Sequence, residues 1–128
     1  MTIADGCLFA AVLLYLLTIA PFKPLGWREF DNARPRDPAF WSTPIRQRAV
    51  GAHQNGIETF PFFAVAVLLA EFRQVPQGLV DELAVAFVIA RIGFVIAYLA
   101  NYAWTRTAIW NVGFAINATL FFSPWWAR

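Results

Sequence analysis

The sequence is poor in the residues that metal and covalent chemistry require. Its 128 residues include one cysteine, Cys7, and one histidine, His53. A lone cysteine excludes an internal disulfide and a thiolate metal cluster, and reads most simply as an inert membrane thiol. A lone histidine excludes a histidine-based metal site, so no metal is expected. There is no glycine-rich phosphate loop, and no serine or cysteine stands beside a plausible base. Any nucleophile would therefore arrive with a ligand. Charge is also scarce, at 14% of residues, where an average soluble domain has roughly 25%. The N-terminus carries Asp5 and no Lys or Arg. The basic opening of a secretory signal is thus missing, and the first apolar segment is expected to be retained. No internal repeat or low-complexity tract is present.

Apolar residues are what the chain has in abundance, at 59%. Its length suits one domain, residues 1–128, and a soluble domain so small could not bury that much apolar surface. Lipid is the solvent that fits. A spanning helix needs about 20 mostly apolar residues, and four segments qualify: 3–22, 56–72, 83–104 and 107–126. The predicted fold is all-α, a bundle of four transmembrane helices. Pro21 and Pro24 close the first segment, Pro76 and Gly78 mark a short turn, and Trp125 and Trp126 resemble interfacial anchors. Residues 23–43, rich in Pro and charge, are expected to form an ordered cap or a solvated loop.

The net charge of +2 would suit a nucleic-acid binder. In a membrane protein, however, basic residues report topology, so no nucleic-acid partner is expected. Lys23, Arg28, Arg34, Arg36, Arg46, Arg48 and Arg106 fall on one side of the predicted spans. Arg73 and Arg128 fall on the other, beside Asp5, Glu71, Asp81 and Glu82. By the positive-inside rule the basic loops face the cytoplasm and both termini lie outside.

Ionisable groups inside a bilayer cost about 2.5–3.5 kcal/mol each on insertion scales, so they turn inward and find partners. Arg48, Gly51, Asn55, Glu58 and Phe62 share one face of the second predicted span. On the third, Arg91, Tyr98 and Tyr102 lie nearly in line, with Arg106 one turn further. Together they form a polar ladder open to the basic end. It suits a small ligand with several carboxylates, because Arg grips carboxylates, Glu receives an ammonium, and Asn and Tyr fix orientation. The plainer alternative is a buried Glu58–Arg91 ion pair that sets helix register. For His53 the plainer reading is an interfacial or hydrogen-bonded histidine.

The run RAVGAHQNGIETFPFF, residues 48–63, resembles the signature of the MAPEG family, membrane-associated proteins of eicosanoid and glutathione metabolism. Asn55, Glu58 and Pro61 match its pattern, and Arg91 and Tyr98 keep its seven-residue spacing. The loop pairs Asp31-Asn32 and Arg34-Pro35 agree by position. The resemblance implies a homotrimer with glutathione as co-substrate, held between neighbouring subunits and reached from the cytoplasm. Family enzymes transfer its thiol to lipophilic electrophiles, reduce lipid hydroperoxides or isomerise prostaglandin endoperoxides.

The expectation is therefore a microsomal-type glutathione transferase or peroxidase in a bacterial inner membrane, with membrane lipids and lipophilic small molecules as partners. The alternative is a non-catalytic lipid-binding or scaffold member of the same fold. By resemblance, Asn55, Glu58, Arg91 and Tyr98 hold glutathione, with Arg48, His53 and Tyr102 completing the set, and Arg106 stabilises the thiolate. Two positions depart from the pattern. Gly51 stands where glutathione-binding members usually have Arg, and Phe94 where a polar residue is frequent. A small proton-coupled exporter is disfavoured, because such proteins carry their essential Glu in the first helix and this one has none.

Overall fold

In the computed structural model, which describes residues 1–127, the first helix starts at a capping box. The Thr2 hydroxyl accepts from the Asp5 N–H at 3.0 Å, and the Asp5 carboxylate accepts from the Thr2 N–H at 2.8 Å. Helix α1 (Ile3–Ile19) leads through Pro21 into a short α2 (Phe22–Leu25). Three long helices follow: α3 (Pro44–Phe72), α4 (Gln77–Leu99) and α5 (Ala103–Trp126). No strand occurs among the described residues. The architecture is all-helical, with four long helices as predicted. The segments Ile3–Leu25 and Pro44–Phe72 are long and apolar enough to cross a membrane. Helices α4 and α5, of 23 and 24 residues, are each about 35 Å long at 1.5 Å per residue.

Helix α3 starts at Pro44, where the expected 23–43 connection ends, because Pro is favoured in a first helical turn and the polar run before 56 continues the helix. One boundary differs from the sequence reading, for a local reason. Helix α4 stops at Leu99 rather than at 104, because Asn101 adopts the left-handed conformation with φ 65°. The Tyr102 N–H bonds the Ala97 carbonyl at 2.9 Å and the Asn101 N–H bonds that of Tyr98 at 3.1 Å, a Schellman closure. Gln74, φ 57°, closes α3 in the same way, with Val75 bonding Ala70 at 3.0 Å. Neither closure uses glycine, so the usual stop signal is absent from the sequence.

Small residues let the helices approach closely. Ala4, Ala49, Ala52, Ala66, Ala70 and Ala84 are buried along the seams. At Gly56 a Cβ would come within 2.5 Å of the Tyr15 Cβ, so α1 and α3 require a glycine there. The core proper holds Phe63 stacked on Phe87 with centroids 4.1 Å apart, together with Val67, Val80 and Leu120. Many large apolar residues, such as Phe9, Leu17, Ile89 and Phe122, point outward, the inverse of a water-soluble surface.

Residues 23–43 form an ordered cap. Arg46 donates to the Glu29 carboxylate at 2.6 Å and the Phe40 carbonyl at 3.0 Å, with its guanidinium 4.2 Å above the Phe40 ring. Phe40 is buried against Phe30 and Trp41. Acids gather at the opposite end of the bundle. Glu71 accepts from the Thr2 hydroxyl at 3.0 Å, and Asp81 accepts from the Ala4 N–H at 2.8 Å, beside the N-terminus of α1. The charge asymmetry read from the sequence is thus a real separation of the two ends. Arg128 lies outside the described residues.

Candidate functional site

Arg91 sits on α4 two turns before its end and is only 6% exposed. Its Nη1 donates to the Asn55 Oδ1 at 2.8 Å, and its guanidinium lies 4.2 Å over the Phe94 ring. The Glu58–Arg91 ion pair, the plainer alternative read from the sequence, is not formed. The ion pairs among the described residues all lie in or beside the 23–43 cap, and Glu58 is exposed one turn beyond Asn55. A neutral amide oxygen and an aromatic face satisfy the buried guanidinium, which leaves the carboxylate free.

Next along α4, Phe94 meets Tyr98 edge to face at 5.5 Å. The chain turns back after Asn101 and brings Arg106, in the first turn of α5, 4.2 Å above the Tyr98 ring. Arg91, Phe94, Tyr98 and Arg106 therefore form one column of alternating cation–π and ring contacts. Tyr98 also abuts Gly51 on α3. A Cβ at Gly51 would lie 2.8 Å from the Tyr98 Cζ and closer still to its hydroxyl oxygen. The space where the family's arginine would begin is filled by a tyrosine.

Two cavities flank the column. An outer, open one of about 360 Å³ is lined by Gly51, Gln54, Asn55, Glu58, Tyr98 and Arg106, with Phe94, Thr107 and Trp110 completing its wall. An inner one of about 210 Å³ lies beyond it between α3, α4 and α5, and shares Asn55, Glu58 and Trp110 with the first. Arg91 lines the inner cavity, as does Asn117 of α5. The outer cavity offers a cation from α5, an acid from α3 and neutral hydrogen-bonding groups that include Gln54, Asn55 and Tyr98. Such a set can hold a zwitterion.

The structure thus gathers Asn55, Glu58, Arg91, Tyr98 and Arg106, and leaves three of the sequence-predicted residues aside. The Arg48 Nε donates to the Leu99 carbonyl at 3.0 Å, where a cation caps the C-terminus of α4. His53 turns the other way, toward α1, with Nδ1 2.6 Å from the Tyr15 carbonyl oxygen. That oxygen can only accept, so the Nδ1–H donates to it and ties α3 to α1. Tyr102 lies past the Asn101 turn and is 65% exposed, because the helical spacing that would align it with Tyr98 ends at Leu99. Gln54, Thr107, Trp110 and Asn117 line the cavities without having been singled out. Gln54 directly precedes the Asn55 motif residue, but the other three lie on a span with no charged residue to mark it.

The model of the MAPEG family matches residues 6–126 of the chain. Neither a curated protein nor a solved structure gives a significant match. The match takes in all four long helices and the column between α3, α4 and α5, so fold and polar site fall within one family pattern. By that coverage, the chain belongs to the MAPEG family.

Proposed function

We propose that this protein is a four-span membrane protein, homotrimeric in a bacterial inner membrane with its termini outside, that binds glutathione in the outer cavity. In this reading it transfers or oxidises the thiol against lipophilic electrophiles or peroxides. The observation that carries the reading is the pairing of a free acid, Glu58, with a cation, Arg106, on facing walls of a polar cavity of about 360 Å³ at the basic end. That volume falls within the roughly 300–1,000 Å³ of small-molecule sites. Glutathione carries an ammonium for Glu58, amides and carboxylates for Asn55, Gln54 and Tyr98, and a thiol of ordinary pKa about 8.5. Arg106 and the N-terminus of α5 both add positive potential there, which favours the thiolate, the reactive form. Arg91 acts as a positioning residue that fixes the Asn55 amide.

The test is calorimetric titration of the detergent-solubilised protein with glutathione, alongside Glu58→Gln and Arg106→Ser. Wild type should bind, and Glu58→Gln should bind at least tenfold more weakly. Arg106→Ser should bind nearly as well but conjugate a chlorodinitrobenzene-type electrophile far more slowly. No heat of binding in wild type at millimolar glutathione would end the reading. One observation favours a non-catalytic lipid-binding role instead. Tyr98 occupies the space beside Gly51, so that position cannot offer an arginine to glutathione. Bound lipid without any thiol binding would establish that second reading.

A further inference from the structure

The cap at the basic end of the bundle carries more positive charge than its own acids neutralise. Residues 23–43 hold three acids, Glu29, Asp31 and Asp37, and all three are engaged. Arg46 donates to Glu29 at 2.6 Å, and Arg34 lies 3.2 Å from Asp31 and 3.8 Å from Asp37. Lys23, Arg28 and Arg36 are left without an acidic partner among the described residues. Lys23 and Arg28 rest on rings instead, at 5.5 Å from the Phe30 centroid and 5.3 Å from that of Trp27. A ring attracts a cation without neutralising it, so both charges stay available to an outside anion.

Between these two cations the chain leaves its large apolar side chains outside. Leu25 is 80% and Trp27 70% exposed, on either side of the buried Gly26. A Cβ at Gly26 would lie 2.7 Å from the Arg46 Nη2 and 2.9 Å from the Phe40 ring, so the backbone there presses onto the Arg46–Phe40 pair. The Gly26 carbonyl also accepts from the N–H groups of Glu29 and Phe30, at 2.9 and 3.0 Å. The turn is thus anchored through its smallest residue. Its height is set by the preceding span, since Ile3–Leu25 is a 23-residue apolar segment, enough for a hydrocarbon core of roughly 30 Å. Residues 23–28 therefore emerge at the level of the headgroups, where Trp is favoured and basic residues meet anionic lipid. A soluble acidic partner would use the charges but leave Leu25 and Trp27 unexplained.

We propose that the Lys23–Arg28 turn binds the headgroup of an anionic phospholipid from the surrounding bilayer. Lys23 and Arg28 hold the phosphate, for which the Arg fork is well shaped. Leu25 and Trp27 sit at the boundary between headgroups and acyl chains. The bound lipid pins the cap, and through Gly26 and Arg46 the start of α3, to the membrane surface. The site rests on the membrane-spanning reading of the bundle and is independent of glutathione binding in the outer cavity.

The test reads lipid contact through Trp27, in the absence of any thiol. The full chain is reconstituted in phosphatidylcholine bilayers containing increasing fractions of brominated phosphatidylglycerol or brominated phosphatidylcholine, whose bromines quench nearby tryptophan. The Trp27 signal is the difference between wild type and Trp27→Phe. Its quenching should report a preference for phosphatidylglycerol of about fivefold or more, the effect of one Lys or Arg near an anionic surface. Lys23→Gln combined with Arg28→Gln should bring the preference close to one. Arg73→Gln, which removes a charge from the acidic end, should leave it unchanged. If the double variant does not fold, Arg28→Glu, at an exposed position, makes the same comparison. Equal quenching by the two lipids in wild type would overturn the proposal, as would a preference that survives loss of both cations or falls equally with Arg73→Gln. Displacement of the brominated phosphatidylglycerol by millimolar inorganic phosphate would overturn it too, by making the turn a site for free anions.

Discussion

Substituting Gly51 tests the geometry of the site most directly. A Cβ at Gly51 would lie 2.8 Å from the Tyr98 Cζ and nearer still to the hydroxyl oxygen, so Gly51→Ala must push the ring away. That ring is held by the Arg106 guanidinium 4.2 Å above it and by Phe94 at 5.5 Å. Losing the first contact costs about 0.5–2 kcal/mol, and losing the second about 0.5–1.5 kcal/mol. Alanine in place of glycine inside a helix returns about 1 kcal/mol. The expected net effect in wild type is a loss of about 1 kcal/mol. In a Tyr98→Ala background the three nearest neighbours of the new Cβ have gone, and the same substitution should stabilise by about 1 kcal/mol. The sign reverses, so the coupling energy is about 2 kcal/mol, inside the range for residues in contact. Unfolding of the four variants in mixed micelles, followed by helical circular dichroism, would measure it. Coupling below about 0.5 kcal/mol would mean that the two residues do not touch, and the argument for a filled arginine position would fail.

Other outcomes follow from the same geometry. Asn55→Ala removes the only hydrogen-bond partner that the buried Arg91 guanidinium has among the described residues and should cost about 3 kcal/mol or more in thermal unfolding. The double variant Asn55→Leu with Arg91→Met should cost less than Asn55→Ala alone, which an additive pair would contradict. Gly56→Val should separate α1 from α3 and destabilise by about 2 kcal/mol or more, whereas Gly78→Ala, with nothing within 4 Å, should be neutral or stabilising. His53→Ala should weaken α1–α3 packing yet leave glutathione affinity unchanged, and a tenfold loss of affinity would return His53 to the site. In the cap, the Ala33 N–H and then Arg34 hold the Asp31 carboxyl below its ordinary value of 3.8. A lowered pKa stabilises the fold above that value and loses this effect as pH falls through the folded pKa. Amide-exchange protection at Ala33, corrected for intrinsic rates, should therefore persist at pH 4 and fall below about pH 3.8, and Asp31→Asn should abolish the dependence.

The parts of the site that lie on one unbroken helix were legible in the sequence. Asn55 and Glu58 on α3, and Arg91 and Tyr98 on α4, share faces because 3.6-residue periodicity puts them there. Legibility stopped at the Asn101 turn. Extending the helix beyond Leu99 placed Tyr102 in line with Tyr98, whereas the left-handed residue reverses the chain and leaves Tyr102 exposed. The same turn is what returns Arg106 to Tyr98, a contact made through a geometry that spacing does not contain. His53 shows a different limit. It sits two residues before Asn55, about 200° around the helix at 100° per residue, and periodicity alone turns it toward the opposite face. Its neighbours in the motif, rather than its angle, put it in the candidate set.

Gly51 carries the argument one step further. Taken from spacing alone it is a gap in a polar ladder, a position where an expected arginine is missing. In the folded chain it is the position that lets Tyr98 lean against α3, and Tyr98 in turn supports Arg106. Phe94, the other departure from the pattern, lies under Arg91 and against Tyr98. The two departures are thus physically linked through Tyr98, since an arginine at 51 would evict the tyrosine, and a polar residue at 94 would remove the aromatic face under Arg91 and the ring that braces Tyr98. What the site lacks in hydrogen-bond donors on α3 it replaces with a rigid aromatic column on α4. The prediction that separates these roles is that Phe94→Ser, which unbraces Tyr98 and through it Arg106, should impair catalysis more than binding. Its readout is a loss of Arg106-dependent turnover with glutathione affinity retained.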